Sequence, residues 1–426
     1  MCNIFWKLVY NIIITPVLMI VIHLLSVISR KVRRGLYPRY RTIQLLKKWI
    51  KDSPSENKQI LFHAASLGEF EHIKPLLYKF KSKYDTINIV TFFSPSGYIN
   101  SEGTEYMDYR MYMPFDIPFL WRSLYGCIKP SLLIISKHDI WPVQIWMAKK
   151  MNIPIILLNA SLSGESSRTG RIAKHFLSTV YHDLNYICAI SEDDASRFRA
   201  NYPDVTVDVI GDTKYDQVVV RRDLALDKNY LNNSWSDNKQ ILVAGSIWPE
   251  DELHLFPAVL DLLNRTNINV IFAPHEPNEN TVKRIKNVFK EWKTLIFSEK
   301  EKLTNQRIII VDSVGYLADI YRYASFAYLG GSFKQGIHNV MEAAIYGIPV
   351  LYGPVHTNSY EAIQLALDNG GIVVHNSGEI LAWLTHFIDN QTKSMELGKK
   401  AEQYVLKNTG ATDKILTICK KFIEGE

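Results

Sequence analysis

Gly330-Gly331-Ser332-Phe333-Lys334-Gln335-Gly336-Ile337-His338-Asn339-Val340-Met341-Glu342 is the stretch whose reading decides the fold. The apolar run before it, Ser325–Leu329, predicts a buried strand. The pattern after it predicts a helix over Asn339–Tyr346, and Ile348–Leu351 predicts another strand. A glycine-rich turn between a strand end and a helix start offers free backbone N–H groups and the positive end of a helix dipole, a favourable place for a phosphate. On that reading Gly330, Gly331 and Ser332 approach the ligand, and Glu342 accepts hydrogen bonds from ribose hydroxyls. The plainer alternative is an ordinary strand-to-helix turn. Neither Gly-x-Gly-x-x-Gly nor a Walker loop occurs here, which argues against the two commonest nucleotide motifs.

Outward from this turn the chain alternates short apolar runs with longer amphipathic ones. Strands are expected at 60–62, 87–92, 132–135, 153–158 and 186–190, and helices at 70–83, 117–128, 141–150 and 193–202. A second series places strands at 240–244, 270–273, 308–311, 325–329, 350–351 and 372–374, with closing helices at 380–407 and 413–422. Strand–helix alternation means parallel sheets covered on both faces. The polar segment Arg221–Asn238 reads as an interdomain linker. The expected class is therefore α/β, with two Rossmann-like domains facing a cleft and chemistry in the loops after strands.

The 426 residues carry a net charge of +6, with 47% hydrophobic and 22% charged residues, a composition that excludes long disorder. A mean hydropathy near zero excludes a polytopic membrane protein. Leu8–Ile28 contains no Asp, Glu, Lys or Arg and reaches about 30 Å as a helix, enough for a bilayer. Arg30, Lys31, Arg33, Arg34, Arg39 and Arg41 follow it. Charge after the apolar run argues against a cleavable signal and places the bulk of the chain in the cytoplasm. The basic stripe suits anionic lipid headgroups rather than nucleic acid. The cysteines are scattered, with no zinc or disulfide spacing.

The loops after strands supply the candidates. His63-Ala64-Ala65-Ser66-Leu67-Gly68-Glu69 opens a helix, and Glu69 is either a proton acceptor or a partner of the helix dipole. Ser94-Pro95-Ser96-Gly97, Ser136-Lys137-His138-Asp139, Asn159-Ala160-Ser161-Leu162-Ser163 and Gly211-Asp212-Thr213-Lys214-Tyr215-Asp216 follow in turn. In the second half Gly245-Ser246-Ile247-Trp248 and Pro274-His275-Glu276-Pro277 also follow strands.

These blocks, in this order over nearly the whole chain, resemble the 3-deoxy-D-manno-octulosonic acid (Kdo) transferase family. HAASLGE is similar to its His-x-x-Ser-x-Gly-Glu, SPSG to Thr-Pro-Thr-Gly, MPFDIP to Leu-Pro-Tyr-Asp-x-Pro, NASLS to Asn-Ala-Arg-Leu-Ser and GDTKYD to Gly-x-x-Lys-Phe-Asp. GGSF, HNVMEAA and PVLYGP are similar to its nucleotide signature. The resemblance implies the glycosyltransferase type B fold, with residues 1–34 as membrane anchor and basic collar. It implies residues 35–212 as acceptor domain and 213–426 as CMP-sugar domain, whose last helix returns to the first. It implies Glu69 as general base and Lys214 as stabiliser of transition-state charge. It implies CMP held around His275, Glu276, Val314, Gly315, Tyr316, Asn339, Val340, Met341 and Glu342. CMP-Kdo is the implied donor and a lipid A precursor the acceptor, at the inner membrane, with no metal and no further cofactor. Where the family has Glu-Thr-Glu-Leu-Trp-Pro, this chain has Lys137-His138-Asp139-Ile140-Trp141-Pro142, so Asp139 keeps the carboxylate. Ser161 stands where the family has Arg. A UDP-sugar transferase of the same fold and a membrane-tethered nucleotide-binding module without catalysis are the alternatives.

Overall fold

The computed structural model describes residues 2–424 apart from 165, 167, 169, 232, 237 and 238. The chain divides into two compact units, Met1–Gln217 with Thr409–Glu426, and Val218–Asn408. The passage to the second unit lies five residues beyond 212, inside the helix Thr213–Leu226. The segment read as a linker is therefore helical as far as Leu226, with a short helix Asn233–Ser236 further on. Its polar side chains mark a half-exposed helix. Asn232, Asp237 and Asn238 fall outside the described residues.

Among the described residues, the sheet of the first unit has seven parallel strands. They are β1 (Gln59–Ala64), β2 (Ile87–Phe92), β3 (Tyr109–Tyr112), β4 (Leu132–Ser136), β5 (Ile155–Ala160), β6 (Tyr186–Ala189) and β7 (Val207–Val209). Their order is β3-β2-β1-β4-β5-β6-β7. Alternate side chains enter two cores. Leu61, Leu133 and Leu157 pack with Trp121 and Tyr125, whereas Phe62, Ile134 and Leu158 pack with Phe70 and Ile415. That period of two, with both faces apolar, is why the strands read as continuous hydrophobic runs.

The terminal helix Ala411–Glu424 belongs to this second core through Ile415, Leu416 and Cys419. Its first turn is held by Asp216, whose carboxylate accepts from the backbone N–H groups of Gly410 and Thr412, both at 2.6 Å.

The sheet of the second unit is also seven-stranded, in the order β10-β11-β9-β8-β12-β13-β14. Its strands are β8 (Ile241–Ile247), β9 (Asn269–Pro274), β10 (Thr294–Ile296), β11 (Ile308–Ile310), β12 (Phe326–Leu329), β13 (Val350–Tyr352) and β14 (Gly371–Val373). The expected helix 339–346 is shorter, Met341–Ala344, so Gly336–Val340 runs as irregular backbone and the helix-dipole argument for that turn loses most of its force. The long closing helix is two, Ser377–Asp389 and Gln391–Lys407, parted at Asn390.

Ile4–Ile28 is helical, with a π-helical turn at Tyr10–Ile14, and is long and apolar enough to cross a membrane. One side of it rests on the first unit. The Tyr10 hydroxyl donates to Asp116 at 2.9 Å, Trp6 and Tyr10 meet the Phe176 ring, and near the other end His23 approaches Phe115. Arg30, Lys31, Arg33, Arg34 and Arg41 are exposed, as a basic collar requires. Arg39 is not part of it. It is 6% exposed, and its guanidinium donates to the carbonyls of Gly35, Met113 and Phe93.

Ile415→Ala is expected to destabilise the first unit by about 2–5 kcal/mol, the usual cost of emptying a core site. Hydrogen exchange should quicken in peptides of β1 and β4 and stay unchanged in β8 and β12. Equal quickening in both units would contradict the assignment of this helix to the first.

Candidate functional site

In the first sheet the strand order reverses at β1 and β4, and in the second at β8 and β12. Chains leaving adjacent parallel strands in opposite directions leave a crevice at the carboxyl ends, where ligands of such sheets bind. Both pairs of loops are ones that the sequence marks.

In the first unit, His63 is the penultimate residue of β1 and fully buried. Its Nε2 bonds Asp139, in the loop after β4, at 2.9 Å, and its Nδ1 meets the Thr91 hydroxyl at 2.9 Å. Burial alone would raise the pKa of Asp139, but the hydrogen bond and charge of His63, together with Trp141 and His138, bring it below the ordinary aspartate value. Glu69 stands in the first turn of helix Leu67–Tyr84, capped by Ser66. One carboxylate oxygen accepts from the Ala65 N–H, so part of the plainer reading, a helix-start partner, is correct. Burial raises the Glu69 pKa and Asp139 adds to the rise, while the Ala65 N–H bond, His63 and Lys137 oppose it. Two neighbouring carboxyls are thus driven apart, Asp139 toward permanent ionisation and Glu69 toward readiness to take a proton. Lys137 stands at φ 60°, a left-handed conformation that directs the chain sharply out of β4.

Three residues along the same helix, His72 meets Asp212 at 3.3 Å, and Asp212 meets the Lys214 ammonium at 3.4 Å. Burial would raise Asp212, but the His72 hydrogen bond and Lys214 hold it far below the usual range. Asn159 clamps this corner. Its amide donates to the Thr213 hydroxyl at 2.7 Å and its carbonyl accepts from the Thr213 N–H at 3.1 Å. Glu69 and His72, three residues apart, lie on one face of the helix Leu67–Tyr84, and His72 is linked through Asp212 to Lys214. Ser94 meets this cluster only through its backbone N–H, which donates to the Ala65 carbonyl at 2.7 Å. It caps the helix Pro95–Asn100. The Arg168 guanidinium donates to the Ser161 carbonyl at 3.2 Å, so a cation stands beside the position where Ser161 replaces Arg.

In the second unit the glycine loop is built by close packing. A Cβ on Gly330 would lie 2.4 Å from the Ser246 carbonyl oxygen, and one on Gly331, at φ 81°, would lie 2.5 Å from the Gly336 oxygen. Asp251 fastens the loop, accepting from the Gly331 N–H at 2.7 Å, the Trp248 N–H at 2.9 Å and the Tyr328 hydroxyl at 3.0 Å. Ser332 donates to Leu329 and accepts from Gly353, so its hydroxyl is structural. Trp248, His275 and His338 form one stack, with ring centroids 4.2 and 4.6 Å apart. Glu276 is exposed beside it. Burial and the neighbouring His275 hold His338 below its ordinary pKa.

Arg221 joins the remaining candidates. Its guanidinium bonds the Glu342 carboxylate at 3.3 Å and the Gly315 carbonyl at 3.1 Å, and so ties the Val314–Tyr316 turn to the Met341–Ala344 helix. Val314 is exposed, Val340 and Met341 are buried, and the Asn339 side chain accepts from the Met341 N–H. Sequence reading missed His72, Arg221 and Asp251, and it quoted Asp212 within a block without giving it a role. A signal was available for the first, since Glu69 and His72 are spaced i, i+3.

A family model described as 3-Deoxy-D-manno-octulosonic-acid transferase (kdotransferase) matches residues 33–217. The 3-deoxy-D-manno-octulosonic acid transferase of Haemophilus influenzae is 28% identical over 98% of this chain and 99% of its own length. That of Chlamydophila psittaci is 24% identical over 85% of this chain and 84% of its own. Among solved structures, a putative UDP-N-acetylglucosamine 2-epimerase from Listeria monocytogenes superposes with a TM-score of 0.58 at 12% identity, covering 87% of this chain and 98% of its own, a likeness of fold. The fold is glycosyltransferase type B in its two Rossmann-like units.

Asp251→Ala leaves three donors without an acceptor, those of Gly331 and Tyr328 in buried contacts. It is expected to lower stability by about 2 kcal/mol or more and to speed amide exchange in 330–338. Unchanged exchange there would show that the loop does not depend on Asp251.

Proposed function

We propose that this chain is a Kdo transferase, a reading supported by its match to that family's model and relatives, and that it moves Kdo from CMP-Kdo onto a lipid A precursor in lipopolysaccharide synthesis at the inner membrane. The observation that carries the mechanism is the divided pair of carboxyls at the β1/β4 switch point. An acceptor hydroxyl attacks the anomeric carbon of Kdo, and its proton passes to Glu69. The bond from that carbon to the CMP phosphate oxygen breaks, and CMP leaves with the electron pair. Burial raises the proton affinity of Glu69, while its contact with the Ala65 N–H fixes its orientation. Asp139, kept ionised by His63, opposes the positive charge that builds at the anomeric centre. Lys214, oriented by Asp212, offsets charge on the departing phosphate. A metal-independent reaction is part of this reading.

The nucleotide is assigned to the second unit. The Trp248–His275–His338 stack offers an aromatic edge and the glycine loop a close backbone approach. The Glu342 carboxylate and the turn at Val314, Gly315 and Tyr316, already tied by Arg221, suit a ribose. His275, Glu276, Asn339, Val340 and Met341 complete that set.

The helix Ile4–Ile28 touches the first unit near both of its ends. A helix held along one body cannot also stand across a bilayer, so we read it as embedded along the membrane surface. Ile12, Leu24 and Ile28, each more than 60% exposed, turn toward lipid. The exposed basic collar meets anionic headgroups, and in this reading the catalytic body lies on the cytoplasmic side, where CMP-Kdo is supplied.

Glu69→Gln is expected to cut kcat by roughly 10²–10⁴, the usual share of general-base catalysis, while the donor KM holds. In the wild type, activity requires ionised Glu69 and falls as pH drops through its raised pKa. The acid limb of kcat/KM should therefore lie above the ordinary glutamate value of 4.5. A full-rate Glu69→Gln enzyme would remove the base assignment.

Lys137→Glu replaces a charge that lowers Glu69 with one that raises it. The acid limb should move to higher pH by a measurable fraction of a unit. An unmoved limb would mean that Lys137 does not act on the base.

A further inference from the structure

The surface where the N-terminal helix lies on the first unit is not closed. A cavity of about 270 Å³ remains there. Leu18, Ile22 and Leu25 of the helix form one wall, and Phe93, Met113 and Trp141 of the body form the other. Taking roughly 30 Å³ for each water-sized group, it has room for about nine such groups.

Its walls present hydrocarbon. Two charged residues border it, Arg39 and Asp116, and both are committed elsewhere. The Arg39 guanidinium is spent on three carbonyls. The Asp116 carboxylate accepts from Tyr10, Trp121 and the N–H groups of Val143 and Gln144. A polar ligand would lose its hydration there and find only the Thr15 hydroxyl and the Trp141 N–H as partners, so the site favours an alkyl chain.

The position of the cavity names the owner of that chain. At one end Leu18 and Leu25 are half exposed, 48% and 49%, and continue the apolar face of the helix. At the other end the Trp141 ring stacks on Phe93 with centroids 5.2 Å apart. Trp141 is two residues from Asp139, and Asp139 is bonded to His63 and felt by Glu69. One short loop therefore forms both the floor of the apolar cavity and part of the carboxylate cluster. The exposed Arg30, Lys31 and Arg34 close to the end of the same helix complement an anionic headgroup.

We propose that this cavity is an acyl-chain subsite that takes one fatty-acyl tail of the anionic glycolipid acceptor, threading it from the membrane face to the loop of Asp139. The helix is then part of the acceptor site as well as a membrane contact. This rests on the reading of the acceptor as a membrane lipid. The subsite would let the enzyme draw a headgroup to its carboxylates without lifting the whole lipid out of the bilayer, because the tail leaves one apolar environment for another.

The test uses the full chain in vesicles of phosphatidylethanolamine and phosphatidylglycerol. A lipid A precursor carrying a diazirine at the end of one acyl chain is photolysed with the enzyme, and the labelled peptides are identified. A phosphatidylglycerol with the same diazirine chain is the parallel arm. Transfer of Kdo to unlabelled acceptor is measured in the same preparation. The expected result is labelling by the acceptor probe at Leu18, Ile22, Met113 or Trp141, several-fold above the phospholipid probe. Ile22→Trp, which fills the cavity, should reduce that labelling and raise the acceptor KM at least tenfold, with vesicle flotation retained. Transfer without labelling of these residues would overturn the subsite and leave the proposed function standing. Equal labelling by the phospholipid probe would make the cavity a site for bulk lipid and overturn the assignment to the acceptor. Absence of transfer would remove the proposed function and the subsite with it.

Discussion

Everything chemical in the first unit is placed by the pairing of β1 with β4. Their register sets Ile60, Leu61, Phe62 and His63 against Leu132, Leu133, Ile134 and Ile135. The next residues of each strand then leave the sheet side by side. His63 can reach Asp139 only because the two strands are neighbours although about 70 residues separate them in the chain, as the 2.9 Å contact shows. The same constraint brings Glu69 under the influence of Asp139 and Lys137, and so sets which carboxyl binds a proton more readily. The second unit repeats the device with β8 and β12, where Asp251 after one strand fastens the glycine loop after the other.

The two units use their loops differently. In the first, charged side chains are paired in a series that runs from Glu69 through the helix to His72, Asp212 and Lys214. Each member orients the next, so these side chains gain direction without being exposed. In the second, backbone does most of the work. Gly330 and Gly331 are needed because a neighbouring oxygen occupies the space of any side chain, and Ser332 is spent on holding β12 to β13. Arg221 then aligns the two outlying turns.

Much of this was legible in the sequence, for physical reasons. Central strands such as β4 and β5 are buried on both faces, so their runs are continuous and cannot be mistaken. The edge strands β3 and β10 are half buried and carry Tyr109, Arg110 and Thr294, and no periodicity marks them. The helix at Met341–Ala344 is shorter than its pattern because Asn358 holds Ile337 through both its N–H and its carbonyl and so fixes the preceding backbone in a loop. Arg39 looks like a member of a basic stripe until its carbonyl partners, some 54 and 74 residues away, are known. Glu69 was legible as a candidate by its motif and place. The pairing that tunes it was not, because the sequence pattern ends the strand at Phe62 and puts His63 in the loop, whereas His63 lies inside β1 and meets a loop that is distant in the chain.

The central claim is that this chain forms a glycosidic bond between Kdo and a membrane lipid. The measurement that meets it most directly is incubation of the full chain with a lipid A precursor and a CMP-Kdo-generating system, followed by mass determination of the lipid. The account predicts a lipid heavier by one or more Kdo residues, formed only when CMP-Kdo is supplied. A lipid of unchanged mass, or one that gains a sugar only from a UDP donor, would contradict it.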